Sequence, residues 1–209
     1  MSGDEAVRSA ALAAADRAMK IESDAIASVR AAVRANLPQA VDILRRVRGR
    51  VIVSGLGKSG HIGSKIAATF ASTGTPAIFI HASEALHGDS GMATAQDVAI
   101  LISYSGETAE VCQFGRMLRV LGVPVVAMTA RSDSTLGAMA QVHLSIAVER
   151  EADPLNLSPT ASTAATLALG DGLAAALMTW SAFGPDDFAA RHPGGSLGRQ
   201  LLGADGGAV

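Results

Sequence analysis

Cysteine is almost absent from this chain: Cys112 stands alone among 209 residues. No internal disulfide can form, and the fold requires no oxidising compartment. Aromatic residues are scarce, with one Trp, one Tyr and five Phe, so a core must come from Ala, Val, Leu and Ile. An excess of charge is missing too. Seventeen Lys and Arg stand against nineteen Asp and Glu, a net charge of −2, and the pI is near 6.2. That balance offers no general field for a polyanion and argues against a nucleic-acid partner; any anion has to be held locally. The first residues, MSGDEAVRSA, lack the basic stretch and apolar run of a secretory signal, so a cytoplasmic location is expected.

What is abundant is aliphatic side chain. Half of the residues (49%) are apolar, which excludes a disordered chain, and the mean hydropathy of +0.31 calls for a search for membrane spans. The longest candidate, Ala161 to Phe183, has the length to span. It is dominated by Ala, Thr and Gly and carries Asp171 at its centre, which is costly in hydrocarbon. A buried core helix is the expectation, with no membrane partner.

Leu12, Ala15, Met19, Ile26, Val29 and Val33 recur at helical steps, predicting one long amphipathic helix over Asp4 to Leu37. Pro38 interrupts it, and Val41, Leu44 and Val47 mark a short second helix ending near Gly49. The period then changes. Val51–Ser54, Ala77–Ile80, Val98–Ser103, Val125–Thr129 and Val142–Ile146 read as five strands alternating with helices. The first three are almost continuously apolar, as for strands covered on both faces, which points to a parallel, doubly wound α/β sheet. In such sheets ligands sit beyond the carboxyl ends of the strands. Behind the last strand come the irregular EADPLNLSP, the Ala-rich helix and a short helix around Asp186 to Arg191.

Three loops at those carboxyl ends carry polar groups. Gly55-Leu56-Gly57-Lys58-Ser59-Gly60-His61 follows the first strand and opens a helix. Its GKS is not a P-loop, because the Walker glycine would fall on Ile52; the G-x-G-x-x-G spacing is met, but the second strand ends Phe79-Ile80-His81 without the acidic ribose ligand. A tight turn presenting Lys58 and Ser59 remains. Ser103-Tyr104-Ser105-Gly106-Glu107-Thr108 follows the third strand. One hydroxyl would suffice for an N-cap, with Ser105 as that cap; three, on Ser103, Ser105 and Thr108, favour an anion site at a helix N-terminus. His81, Glu84, His87 and Asp89 follow the second strand. Their spacing matches no standard zinc pattern, so acid–base use ranks above metal binding. Glu110, Glu151 and His192, in Arg191-His192-Pro193-Gly194-Gly195-Ser196, complete the candidate set, while His61 and His143 read as structural.

Taken together, G-x-GKSG-H-I, S-x-SGET, EALHGD, PLNLSPTAST and HPGGSLGR resemble, in the same order, the sugar isomerase (SIS) domain of arabinose-5-phosphate isomerases, over Asp4 to Leu202. The resemblance implies a five-stranded flavodoxin-like α/β/α sandwich. A helical arm over residues 1–50 belongs to the same domain, the SIS domain proper covers 51–203, and 204–209 form a flexible tail. It also implies a homotetramer without cofactor or metal that interconverts D-ribulose 5-phosphate and D-arabinose 5-phosphate, the product feeding the octulosonate sugar (Kdo) of lipopolysaccharide. The family's phosphate-binding residues fall on Ser59, Ser103, Ser105 and Thr108, and its functional groups on Lys58, His87, Glu110, Glu151 and His192. On this reading Lys58 and His87 polarise the sugar oxygens, and Glu151, or failing that His192, moves the proton of an enediolate. Tyr104 departs from the family, which commonly has a smaller polar residue there. Longer members continue into a pair of CBS regulatory domains; this chain stops short of them, so regulation through such domains is expected to be absent. The alternatives are a non-catalytic sugar-phosphate sensor and an isomerase of a hexulose or seven-carbon phosphate.

Overall fold

The computed structural model describes residues 3–194; the HPGGSLGR stretch from Gly195 onward and the expected tail at 204–209 lie outside the described residues. The chain starts with a helix over Gly3–Ala32 (α1), whose Asp4 and Glu5 in the first turn and Arg30 in the last complement the helix dipole. One turn follows, and a second helix runs over Leu37–Leu44 (α2). The long helix therefore ends five residues before the expected Leu37. Pro38 lies in the first turn of α2, where its missing N–H has no intrahelical partner to lose.

Five strands and six further helices come next: β1 (Val51–Gly55), α3 (Gly57–Ser72), β2 (Ala77–Phe79), α4 (Ala82–Ala85), β3 (Val98–Ile102), α5 (Ala109–Val120), β4 (Val125–Thr129), α6 (Thr135–Met139), β5 (Val142–Ser145), α7 (Ala161–Trp180) and α8 (Pro185–Arg191). All strand pairs are parallel, in the order β2-β1-β3-β4-β5. This is the doubly wound order in which the chain leaves β1 to one side and returns to the other at β3. The sheet is the expected five-stranded one, with one difference. β2 is three residues long and only half-buried, because it is an edge strand and not one covered on both faces.

Side chains alternate between two cores, as the period of two requires. Val51, Val53, Ile100, Ile102, Val126, Met128 and Leu144 face a layer built from α1, α2, α3 and α7. Ile52, Ala99, Leu101, Val125 and Ala127 face the layer that contains Val111, Phe114 and Leu118 of α5 and Leu136 of α6. Ala40 and Leu44 of α2 belong to the first core, together with Ala25 and Val29 of α1. Only the C-terminal part of α1 does so; Val7, Leu12 and Met19, nearer its start, are exposed.

α7 is the one described helix long and apolar enough to cross a membrane by length and composition. Here it packs against α1 and α3, and Asp171 accepts an ion pair from Lys65 of α3 at 2.5 Å. α3 and α7 approach so closely at Gly170 that a Cβ there would stand 2.4 Å from Cγ1 of the fully buried Ile66. Gly170→Ala should therefore cost about 1–3 kcal/mol through overpacking, read as a lowered midpoint in denaturant unfolding. Gly172→Ala, with open space at its Cβ, should leave stability unchanged or raise it by up to about 1 kcal/mol through helix propensity.

Candidate functional site

The strand order reverses between β1 and β3, so the loops leaving their carboxyl ends part and open a crevice. A cavity of about 420 Å³ lies there. The β1 loop contributes Leu56, Lys58 and Ser59, the β3 loop Tyr104, Ser105 and Thr108, and the first turns of α7 Ser162, Thr163 and Thr166. Ile62, Ile146 and Pro159 give it an apolar side. Of the residues expected from sequence, Lys58, Ser59, Ser105 and Thr108 meet at this cavity.

The β3 loop is held from inside. Ser103 is 3% exposed; its Oγ pairs with Thr108 Oγ1 at 2.8 Å and accepts from the Gly106 N–H at 3.2 Å. Ser103 thus shapes the loop from beneath and does not line the cavity. Gly106 has φ +71°, and a Cβ would lie 2.0 Å from Ser134 Oγ, so conformation and space both demand glycine. Cys112 donates to the Gly106 carbonyl at 3.3 Å, and burial pushes its thiol above the ordinary value. Glu107 accepts from the Thr135 hydroxyl at 2.7 Å and its N–H at 2.8 Å; these bonds hold its carboxyl below the ordinary value and fasten the loop to α6.

The N-cap of α5 is Thr108 and not Ser105. Ser105 Oγ instead accepts from the Glu107 N–H at 3.1 Å. No side chain caps the α5 terminus, so its first amides and the positive end of its dipole remain available to an anion. Lys58, in the first turn of α3, is exposed and has no hydrogen-bond partner among the described residues. An exposed cation, unpaired among the described residues, and an uncapped helix end thereby border one cavity.

Glu151 occupies a different position from that of a free base. It accepts from the Thr160 N–H at 2.8 Å, Thr160 Oγ1 at 3.2 Å, the Ser162 N–H at 3.2 Å and Ser162 Oγ. Burial pushes its carboxyl up, but the bonds from Ser162 and Thr160 outweigh this and hold it below the ordinary glutamate value. Glu151 fastens the start of α7 and reaches the cavity only through Ser162. His87 is exposed, Glu110 is half-buried on α5, and His192 stacks on Phe188 at 3.9 Å with Nδ1 2.9 Å from the Phe188 carbonyl; none of the three lines the cavity. His143 is held by Thr129 Oγ1 at 2.9 Å from Nε2, a structural role. Among the described residues no cluster of His, Cys, Asp and Glu is suited to a metal ion.

Sequence reasoning singled out none of Ser162, Thr163 and Thr166. Their signal was the PTAST run opening an Ala-rich helix, where positions three and four apart share a face, as Thr163 and Ser162 do with Thr166. Thr163 and Thr166 donate to helix carbonyls, at 2.8 and 2.7 Å, and keep oxygen lone pairs for the cavity.

Residues 43–176 match the family model of the SIS domain. The chain belongs to the SIS domain family. This SIS domain is 50% identical over 184 residues to the arabinose 5-phosphate isomerase KdsD of Shigella flexneri, covering 88% of this chain and 56% of that protein. With its namesake from Pseudomonas aeruginosa it shares 48% identity over 188 residues, 90% of this chain and 58% of the other. The chain thus spans a little over half the length of these relatives. The solved structure of E. coli CFT073 c3406 in complex with arabinose 5-phosphate is 37% identical, with a TM-score of 0.84, covering 92% of this SIS domain and all of that chain.

The carboxylate cap on α7 has a pH signature. A carboxyl held low when folded binds its proton more weakly than in the unfolded chain. Its stabilisation is therefore full above the unfolded value of about 4.3 and fades as pH falls through the folded value. Glu151→Gln should lower stability by about 1–2 kcal/mol at pH 7, and the difference between variant and parent in unfolding should begin to shrink once the pH falls below about 4.3.

Proposed function

We propose that this SIS domain is an aldose–ketose isomerase that interconverts D-ribulose 5-phosphate and D-arabinose 5-phosphate. The observation that carries the reading is the cavity at the β1/β3 switch point, where hydroxyls and an uncapped helix end adjoin the one lysine of the β1 loop. Such a site suits a single phosphate on a polar chain. The relatives that bear the name arabinose 5-phosphate isomerase and the neighbour solved with that sugar phosphate support the choice of substrate.

Ser59, Ser105, Thr108 and the first amides of α5 take the phosphate, with Ser103 holding the loop in shape. Lys58 Nζ stabilises the oxygen on which negative charge develops as C1 and C2 pass through an enediolate. The proton moves by way of the Ser162 hydroxyl and Glu151, the carboxylate one hydrogen bond from the cavity. A low-lying carboxylate is a weak base at neutral pH, and the lysine-stabilised oxyanion lessens the driving force that it must supply. His87 polarises a substrate oxygen beside Lys58, His192 is the alternative carrier of the proton, and Glu110 completes the proposed catalytic set. The protein acts in the cytoplasm, the aldose serving synthesis of an octulosonate, and assembles as a homotetramer. The exposed Leu12, Met19 and Ile26 of α1, spaced seven residues apart on one helix face, supply an apolar stripe for a neighbouring subunit, and sedimentation should show the tetramer.

Incubation with ribulose 5-phosphate in deuterated water, followed by NMR, should yield the aldopentose with deuterium at C2, in chelator as well as without it. Lys58→Ala should reduce kcat/KM by about 10²–10³-fold. Tight binding without turnover would make the domain a sensor. If Glu151→Gln still incorporates deuterium at the parent rate, the proton passes elsewhere, and His192→Ala is the variant to examine.

A further inference from the structure

The cavity contains one side chain unlike its neighbours. Tyr104, the only tyrosine in the chain, interrupts a loop of hydroxyls and lines the cavity between Ser103 and Ser105. It is fastened at both ends. Its carbonyl accepts from the Ala130 N–H at 2.8 Å, just past β4, and its phenol oxygen accepts from the Val148 N–H at 3.4 Å, beyond β5. β3 and β5 lie on either side of β4, so they are two strand spacings apart, roughly 10 Å. The side chain therefore lies as a bar across the carboxyl end of β4. Ile146, 2% exposed, also lines this side of the cavity and cannot give way. The residues that bind an anion, Ser105 and Thr108, stand on the same loop as the bar, so the distance from phosphate to wall is set by the backbone of one short, internally bonded segment.

We infer that Tyr104 limits the length of the sugar phosphate that this cavity admits and selects five-carbon over six- and seven-carbon substrates. The inference rests on the reading of the cavity as a sugar-phosphate site, and it concerns the sugar end alone. The ring is carried on a backbone fixed by the Ala130 bond, and the 3.4 Å contact from the Val148 N–H only orients its tip, so an additional hydroxymethylene meets the bulk of the ring. A mismatch of one carbon in a close-fitting pocket discriminates by about 10–200-fold. Removal of the ring should return that factor.

The test compares the full chain with Tyr104→Ala, Tyr104→Ser and Tyr104→Phe, each checked for fold by circular dichroism. Turnover by NMR and affinity by calorimetry are measured for ribulose 5-phosphate, fructose 6-phosphate and sedoheptulose 7-phosphate, with inorganic phosphate as a competitor. In the Ala and Ser variants, kcat/KM and affinity for the six- and seven-carbon ketoses should rise at least about tenfold relative to the five-carbon one. Competition by inorganic phosphate should stay at the parent level, and Tyr104→Phe should keep the parent preference because it keeps the ring. A folded Ala or Ser variant with the parent's ratio overturns the inference, as does a Phe variant that behaves like Ala. If the parent binds these compounds without converting any of them, the isomerase reading fails while the affinity ratios still judge the wall. If the parent binds none of them, both fall.

Discussion

A parallel sheet covered on both faces can meet a ligand only at its ends, and this constraint governs the molecule. Alternate side chains of β1, β3 and β4 are consumed by two aliphatic cores, one under α1, α2, α3 and α7 and the other under α5 and α6. Fully buried polar side chains are few in β1, β3 and β4. The exceptions cluster at the carboxyl ends, at Ser54, Ser103 and Thr129, where the strands give way to loops. Because the strand order reverses between β1 and β3, two of those loops diverge, and the gap between them is the cavity. On the proposed reading an anion is held there without a basic patch. An uncapped helix end and hydroxyls aimed by their own backbone replace it, consistent with a net charge near zero.

The loops are kept in shape by bonds that face away from the cavity. Ser103 to Thr108, Cys112 to the Gly106 carbonyl and Glu107 to Thr135 brace the β3 loop from below and from the side. Glu151 does the same for the start of α7. A site preorganised by such internal bonds loses little energy in reorganisation when charge develops within it. Several residues whose chemistry suggests direct participation, Ser103 and Glu107 among them, do not line the cavity and brace its loops. Lys58 differs from them: it has no partner among the described residues and is the group left to respond to a ligand.

Much of the architecture was legible in order. The five strand runs fall within a residue or two of the observed strands, since aliphatic runs bounded by Gly, Pro and Ser have few other ways to fold. The break near Pro38 was legible too, but its location was not. Periodicity marks a helix face without marking where the backbone turns, and α1 ends at Ala32. Half of the site was legible for a similar reason. Lys58, Ser59, Ser105 and Thr108 follow strands, and a strand end in a doubly wound sheet is already a place in space. Ser162, Thr163 and Thr166 come from a helix separated from β5 by the irregular stretch 146–160, and its approach to the cavity depends on packing against α3.

From the sequence alone come the class of sheet, the two glycine-bearing loops at its carboxyl end and the small, uncharged character of the core, because local pattern and turn chemistry specify each of them. Tertiary structure decided which of the hydroxyls and carboxylates face the cavity. Ser103 and Ser105 are two residues apart on one loop, yet one is buried as a brace and the other opens to solvent. Glu151 does not line the cavity itself but is bonded to the start of α7, reaching the cavity through Ser162. Tyr104 became a wall only because β4 and β5 bring Ala130 and Val148 to its two ends. Orientation depends on contacts between segments far apart in the chain, and no local pattern of residues encodes those contacts.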